Sequence, residues 1–255
     1  MTTPVLYTCQ PGERWVDLGT GNHGTAWPQA VKAAGYDGII WDVYNATAAD
    51  IQATLAAGLG VRLFQGYDAA AWRDPRAAVA RARQAVSRAH ALGYVPGAQI
   101  DLDFENCPLP SATMSPWINQ WAAQVQRTHI AGLYIAQPMA LSGPELYALL
   151  VTRYWRGSNA VPMVPIRGFE TLQTAWDQTV GGIAVDVDVI QHDALGALPV
   201  GMKAPTPPVH PASPPAVGAN PPATASVPTA DLAALQATVA TLVTQVAHLQ
   251  KGDHA

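Results

Sequence analysis

The sequence is poor in charged residues and in cysteine. Its 255 residues include 14 Lys and Arg and 18 Asp and Glu, which leaves a net charge of -4. The basic residues form no cluster, so we expect no nucleic-acid partner, because a phosphate backbone requires a cationic stripe. The two cysteines, Cys9 and Cys107, belong to no CxxC motif, which excludes a disulfide scaffold and a closed zinc site. We expect both thiols to be reduced and structural.

Long apolar runs and common nucleophile motifs are also missing. No apolar run reaches the ~18 residues of a membrane-spanning helix, so membrane insertion is not expected. Residues 1–7 (MTTPVLY) have neither the basic nor the apolar region of a signal peptide, so we expect synthesis in the cytoplasm without a secretion signal. The histidines lack metal-ligand spacing and no GxSxG motif occurs. We therefore expect no metal, no cofactor and no serine nucleophile.

Proline is concentrated near the C-terminus. Ten of the 22 prolines fall between Pro199 and Pro228, where Lys203 and His210 are the only ionisable side chains. Such a Pro/Ala segment favours extended polyproline II, at ~3.1 Å per residue, and cannot build a core. The composition predicts a linker over residues 199–229.

The segment that follows, residues 230–251, has the apolar spacing of a coiled coil. Leu or Val recurs at intervals of 3-4-3-4-3 over fewer than three heptads, without flanking charges that would fix a partner. We expect this helix to join copies into a homo-oligomer or to dock on a helical partner; the alternative is a helix that folds back or frays. The apolar positions are Leu232, Leu235, Val239, Leu242, Val246 and Leu249.

Residues 1–198 alternate between strand-like and helix-like runs, which predicts βα units and a parallel sheet. The strand candidates are residues 5–8 or 15–18, 38–44, 61–67, 98–105, 132–137, 152–155, 163–166 and 183–191. Helices are predicted at 47–57, 76–92, 116–127 and 143–151. Eight units in about 200 residues favour a compact α/β fold, a TIM-like (β/α) barrel. An open doubly wound sheet is the alternative.

The most informative strand carries three acids on one face. Side chains alternate along a strand, so in a barrel the apolar set meets the helices and the acidic set enters the lumen, with Glu105 nearest the C-terminal mouth. The two sets are Ile100, Leu102 and Phe104, and Asp101, Asp103 and Glu105.

Three crowded acids cannot all ionise cheaply, so we expect at least one raised pKa. A carboxylic acid that stays neutral near pH 7 is what a general acid needs. Glu105 is one of only four glutamates. We therefore predict a catalytic function for Asp101, Asp103 and Glu105. The alternative is that they bind a cation or pair with arginines.

Three segments resemble glycoside hydrolase family 25 lysozymes and the related glycoside hydrolase-like barrel domains. They are Asp103-Phe104-Glu105 at a strand end, Trp176-Asp177-Gln178 followed by residues 182–189, and the helix-to-strand step at residues 57–65. The resemblance implies a barrel in which Glu105 is the proton donor, Asp103 its carboxylate partner and Asp186 a further acid at the mouth. The opening strand of that family has an Asp in an Asp-x-Ser-like context, which Asp17 does not match.

Residues 98–105 are also similar to the acidic strand of family 18 chitinases, although Ala98 stands where that motif has its first Asp. This resemblance implies that Glu105 protonates the leaving oxygen while Asp103 orients the substrate's acetamide. Both resemblances imply a substrate built of N-acetylated β-linked sugars, either peptidoglycan or a chitin-like polysaccharide.

Further residues near predicted strand ends are candidates for substrate binding. Flat rings bury the apolar faces of sugars, although each ring could equally serve core packing. The aromatic candidates are Trp41, Tyr67, Tyr134, Trp155 and Trp176. Asp42 and Asp68 are candidates for contacts with sugar hydroxyls, and the alternative is helix N-capping, for which Asp68 is well placed.

The sequence thus favours a glycoside hydrolase that cleaves β-1,4 bonds in a wall polymer, as a phage-type lysin or a virion-associated enzyme. One alternative is a non-catalytic glycan-binding or virion structural protein on the same barrel. A third is an S-adenosylmethionine-dependent methyltransferase, because residues 15–24 resemble its glycine-rich turn. In that case Asp42 would contact the ribose and Asp68 the adenine.

Overall fold

The computed structural model describes residues 3–205 except Asn22, residues 67–70, Pro75, Pro108 and residues 158–159. The strands are β1 (Val5–Thr8), β2 (Arg14–Leu18), β3 (Gly38–Asp42), β4 (Gly60–Gln65), β5 (Gln99–Phe104), β6 (Ile130–Ile135), β7 (Arg153–Arg156), β8 (Thr171–Val180), β9 (Ile183–Ile190) and β10 (Val200–Lys203). The helices are α1 (Trp27–Ala33), α2 (Ala48–Ala56), α3 (Ala77–Ala91), α4 (Ser111–Val125) and α5 (Gly143–Tyr147).

Eight strands, β2 to β9, close into a barrel. The order runs β4-β3-β2-β9-β8-β7-β6-β5, and β5 pairs in turn with β4. Neighbours are parallel except at β9, which is antiparallel to both β2 and β8. Because the sheet has no open edge within this ring, the TIM-like (β/α) barrel is confirmed and the doubly wound alternative is wrong. A ribbon of β1 and β10 joins the ring where Met202 pairs with Val61.

The outer face of the barrel is apolar and lies under the helices. Ile100, Leu102 and Phe104 of β5 are buried in this outer core, as the alternation predicts. Helix α3 presents a face of small side chains, which lets it pack closely against its neighbours. Its buried residues are Ala78, Ala82, Ala85 and Ala89.

The lower part of the lumen is polar. The fully buried guanidinium of Arg62 contacts Asp101 at 2.7 Å and donates to Thr171 Oγ1 at 3.0 Å. Gln99 Nε2 donates to Asp101 Oδ1 and to Glu170 Oε1, both at 2.7 Å. Gly132 lies opposite Asp101 in the register, and its missing side chain makes room for this network. The network therefore ties β4, β5 and the start of β8 together.

The structure differs from the predicted elements in the second half of the barrel and at the start of the linker. Residues 163–166 form no strand, and Ile166 is exposed with φ at 66°. The strand in that part of the chain is β8, whose two register irregularities interrupt the alternation that would reveal it. The first residues of the predicted linker form β10, which pairs with β1.

The C-terminal predictions fall outside the described residues. They comprise most of the linker and the helix at 230–251 with its six apolar positions. Among the helices that the structure describes, none is long and apolar enough to cross a membrane.

The lumen network gives a stability prediction at Gly132. An added Cβ would lie 2.0 Å from Asp101 Oδ1, and the polar layer has no room to move aside. We expect Gly132→Ala to lower the free energy of unfolding by about 1–3 kcal/mol, as for other overpacked sites. Gly19→Ala is the matched control, because its Cβ would meet nothing within 4 Å. Equal denaturant midpoints for the two variants would contradict this account.

Candidate active site

A pocket of about 210 Å³ opens at the mouth of the barrel, where the parallel strands end. Active sites of (β/α) barrels lie at this face. Carboxyl groups and aromatic rings make up most of the lining. The residues are Asp17, Gly19, Phe64, Asp103, Glu105, Tyr134, Trp155 and Asp186, and we call this the acidic pocket.

Strand geometry brings the four acids together. Asp103 ends the inward face of β5 and Glu105 follows that strand directly. Asp17 on β2 lies directly opposite Asp186 on β9 in the antiparallel register. The barrel thus places acids from three strands around one pocket.

At the base of the acidic pocket, the carboxyl groups of Asp17 and Asp188 affect each other's pKa. Asp188 is fully buried and accepts a hydrogen bond from Trp155 Nε1 at 2.6 Å. Burial raises the pKa of Asp188 to about 7. Burial and the neighbouring charge of Asp188 raise the pKa of Asp17 well above its usual value, and a hydrogen bond links the two side chains. The interaction favours the protonated form of Asp17 and the charged form of Asp188.

Glu105 has the environment of a general acid. The pKa of this half-buried carboxyl is raised by burial and further by the charge of Asp186, while a hydrogen bond with Asn106 acts in the opposite direction. Asp186 accepts hydrogen bonds from Gln173 Nε2 and from the Asp177 backbone N–H, the latter at 2.9 Å. Burial raises the pKa of Asp186, and these two hydrogen bonds act in the opposite direction by favouring its charged form.

Aromatic side chains build the floor of the acidic pocket. Trp155 packs edge-on against Tyr134, at 4.6 Å between ring centroids, and against Phe64 at 6.2 Å. Tyr134 Oη donates to Gln173 Oε1 at 2.8 Å, which joins the ring to the hydrogen bonds of Asp186. Trp176 lies on β8 and is 48% exposed.

Two of the predicted site residues lie away from the acidic pocket. Trp41 is fully buried between barrel and helices, where it packs edge-on against Trp27 and donates to Thr54 Oγ1 at 3.3 Å. Its predicted contact with substrate is wrong, since no sugar can reach it. Asp101 lies one layer deeper, in the ion pair with Arg62, so its position does not support a catalytic function.

The remaining candidates are less directly placed. Asp42 lies in a neighbouring pocket, where its carboxylate accepts from the Tyr44 N–H at 2.9 Å and from Asn45 Nδ2 at 2.7 Å. Tyr67 and Asp68 lie outside the described residues. Both cysteine thiols are free and buried, in line with a structural function.

Sequence reasoning missed the contributions of Asp17, Asp188 and Phe64. The sequence does contain a signal for Asp188. Asp186 and Asp188 are two residues apart on β9 and so lie on the same face, as Asp101 and Asp103 do on β5. Asp17 stands alone in a short apolar strand, and only the closure of the barrel brings β2 beside β9.

The methyltransferase alternative is wrong. The methyltransferase fold has an open parallel sheet. Here β2, the strand before the glycine-rich turn, pairs with the antiparallel strand β9 in a closed barrel. No cluster of metal-ligating side chains occurs among the described residues.

The fold and the acid-lined mouth define a glycoside hydrolase-like (β/α) barrel. Residues 29–190 match the family described as Rv2525c-like, glycoside hydrolase-like domain, and the chain belongs to that family. The resemblance to lysozymes is thereby confirmed at the level of glycoside hydrolase-like barrels, and not for family 25 in particular. No curated protein sequence is significantly similar to the chain.

Solved structures with low sequence identity share the fold. The Mycobacterium tuberculosis Tat-secreted protein Rv2525c, in complex with L-tartrate, is 19% identical over 74% of this chain and 99% of its own, with a TM-score of 0.57. The modular autolysin LytC from Streptococcus pneumoniae is 18% identical over 71% of this chain and 47% of its own, with a TM-score of 0.51. The CTP1L endolysin is 16% identical over 70% and 66%, with a TM-score of 0.53.

Buried carboxyls give the barrel a pH-dependent stability. Burial raises the pKa of Glu170 to about 8 and that of Asp188 to about 7, so the folded protein keeps protons that the unfolded chain releases above pH 4.5. Stability is therefore fully present at low pH and is lost as the pH rises through these values. Buried His129, with a pKa lowered to about 4, acts in the opposite sense, but only below pH 6.5.

We expect the melting temperature to fall between pH 6.5 and pH 8, with about 1–2 kcal/mol lost through Glu170 alone. Glu170→Gln should flatten this dependence because it removes the proton that is released. Glu145→Gln should leave it unchanged, since the pKa of Glu145 is lowered to about 2 by hydrogen bonds from Ser111 and Ser142. Thermal melts across this pH range test the prediction, and a slope that is the same in all three proteins would refute it.

Proposed function

We propose that this protein hydrolyses β-1,4 glycosidic bonds in peptidoglycan or a related N-acetylhexosamine polymer. The observation that carries the proposal is the acidic pocket, in which a half-buried glutamic acid with a raised pKa lies among three aspartates above an aromatic floor. Glycosidases use paired carboxyl groups of this kind around an oxocarbenium-like transition state.

In this reaction Glu105 donates its proton to the glycosidic oxygen as the bond to the leaving sugar breaks. Positive charge develops on the sugar ring as this bond breaks, and the carboxylates of Asp103 and Asp186 stabilise it. A water molecule then bonds to the anomeric carbon and gives up a proton to a carboxylate of the pocket, which completes the hydrolysis. Tyr134, which is half-buried, supplies an apolar face for the pyranose. Trp176, exposed on β8, is a further platform for the polymer outside the pocket.

The relatives support a substrate of this kind. The family is described as glycoside hydrolase-like, and an autolysin and an endolysin share the fold. The autolysin was also solved with a synthetic peptidoglycan ligand. By extension, we propose action at a cell wall as a phage-type lysin or virion component. Self-association through residues 230–251 would add avidity for an insoluble polymer.

Removal of the proton donor tests the activity. We expect Glu105→Gln to reduce the release of reducing ends from purified peptidoglycan or chitin oligomers by about 10²- to 10⁴-fold, because an amide cannot donate the required proton. Glu145→Gln is the matched control, since glutamine also completes the capping box that Glu145 forms with Ser142.

Two outcomes would count against a hydrolase. Undiminished turnover in Glu105→Gln would remove Glu105 from the reaction. Binding to cell walls without turnover in the wild-type protein would favour the non-catalytic glycan-binding alternative.

The pH profile tests the electrostatic coupling of Glu105 to Asp186. The charge of Asp186 helps to raise the pKa of Glu105, and catalysis needs Glu105 protonated. We expect Asp186→Asn to move the alkaline limb of the kcat profile to lower pH, whatever its effect on the maximum rate. A limb that stays in place or moves upward would show that Asp186 does not act on Glu105.

A further inference from the structure

A separate pocket lies on the outer side of the barrel wall. It measures about 630 Å³, within the ~300–1,000 Å³ range of ligand pockets. Side chains alternate along β7, so Trp155 lines the acidic pocket and the next residue, Arg156, lines this one. We call it the Arg156 pocket. Most of its wall is apolar, and this part includes Met163, Val164, Pro165, Ile166, Phe169 and Leu172.

The Arg156 pocket lies where the barrel lacks a covering helix. Helices pack outside the strands of a (β/α) barrel, but the described residues between β7 and β8 form no helix. The side chains of Met163 and Ile166 are therefore 63% and 66% exposed at the rim of the pocket. A concave apolar surface that faces solvent marks a place where another molecule binds.

The backbone at Ile166 is strained in a way that presents its side chain to the rim. Its φ is 66°, in the left-handed region that a β-branched residue rarely adopts. Two hydrogen bonds hold this turn, from the Arg167 N–H to Pro165 O at 2.7 Å and from the Gly168 N–H to Val164 O at 2.8 Å. Strain that the surroundings maintain in this manner is common where ligands bind.

The guanidinium of Arg156 has no hydrogen-bond partner among the residues that the structure describes. The side chain is partly buried, and its Nε is buried without an acceptor. Its guanidinium carbon lies 5.6 Å from the centre of the Phe169 ring, so the aromatic face holds the cation without satisfying its donors. Buried donors in proteins are nearly always paired, and a ligand with acceptor oxygens would pair this one.

The Arg156 pocket is positively charged. Its described lining contains Arg156, Arg167 and the exposed His192, and no acid. Arg167 is already engaged, because its Nη1 donates to Thr152 O at 3.0 Å and to Asp193 Oδ2 at 3.1 Å. The cation that remains available to a ligand is therefore Arg156. The acidic pocket on the other side of β7 has the opposite charge.

These properties together define the ligand. The planar donors of a guanidinium match a carboxylate, and the apolar wall matches a hydrocarbon. At the pocket β7 pairs with β6 and β8, and β8 pairs with β9, so no free strand edge is offered to an extended peptide. This favours a small molecule over a peptide.

We propose that the Arg156 pocket binds a small amphipathic carboxylate, with the carboxylate on Arg156 and the hydrocarbon body against Ile166 and Leu172. The site is distinct from the acidic pocket and does not depend on the proposed hydrolase.

Titration calorimetry on the full chain tests the proposal with octanoate, hexanoate and octan-1-ol. We expect octanoate to bind about tenfold or more tightly than octan-1-ol, because the alcohol cannot make the charge-assisted hydrogen bonds. Hexanoate should bind about tenfold more weakly than octanoate, because it buries two methylene groups fewer.

Three variants assign the site. Arg156→Gln should remove the preference for octanoate over octan-1-ol, and its melting temperature should not fall, because the guanidinium has no partner to lose. Met163→Ser should weaken the binding of both ligands by a similar factor, since it removes apolar contact alone. Arg127→Gln, which changes an exposed arginine outside the pocket, should behave like the wild-type protein.

Several results would overturn the inference: no binding of octanoate, equal binding of octanoate and octan-1-ol, or a preference that survives Arg156→Gln. A lower melting temperature of Arg156→Gln would assign the guanidinium to the stability of the fold instead. Altered octanoate binding in Glu105→Gln would place the ligand in the acidic pocket.

Discussion

The buried guanidinium of Arg62 is the charge on which the barrel interior depends. It lies in a closed lumen, where Asp101 balances its charge and Thr171 accepts a hydrogen bond from Nη1. Removal of one partner from such a buried pair is strongly destabilising, because an uncompensated charge stays behind. Since Arg62 belongs to β4 and Asp101 to β5, the same contact joins the two strands at which the ring closes.

Arg62 and Arg153, which lies 3.4 Å from Glu170, do not neutralise all the acids around them. The charge of Arg62 lowers the pKa values of Asp17, Asp188 and Glu170, yet burial outweighs it at all three. Glu170, whose pKa is raised to about 8, therefore stays protonated inside the lumen at neutral pH. The shortage of buried cations thus has two results: it makes the fold sensitive to alkali, and it creates the environment in which a nearby carboxyl group can serve as an acid.

Local patterns in the sequence predict part of this arrangement. Alternation on β5 was enough to predict that Asp103 and Glu105 reach the mouth while Phe104 packs outward. Alternation does not show how deep each acid lies, so it cannot separate Asp101, which pairs with Arg62, from the acids at the mouth. For a related reason the sequence does not place Trp41, because a strand-end position does not reveal which face of the barrel a ring occupies. The pair of Asp17 and Asp188 depends on strand neighbours more than 160 residues apart in sequence.

The acids that line the acidic pocket affect both the proposed proton donor and the kind of polymer that can bind. Burial and then the charge of Asp186 raise the pKa of Glu105, and the acids around the pocket repel a polymer that carries carboxylates. A neutral polymer such as chitin would need no compensation. An acidic polymer must place its carboxylates outside the acidic pocket, because no basic side chain lines that pocket among the described residues.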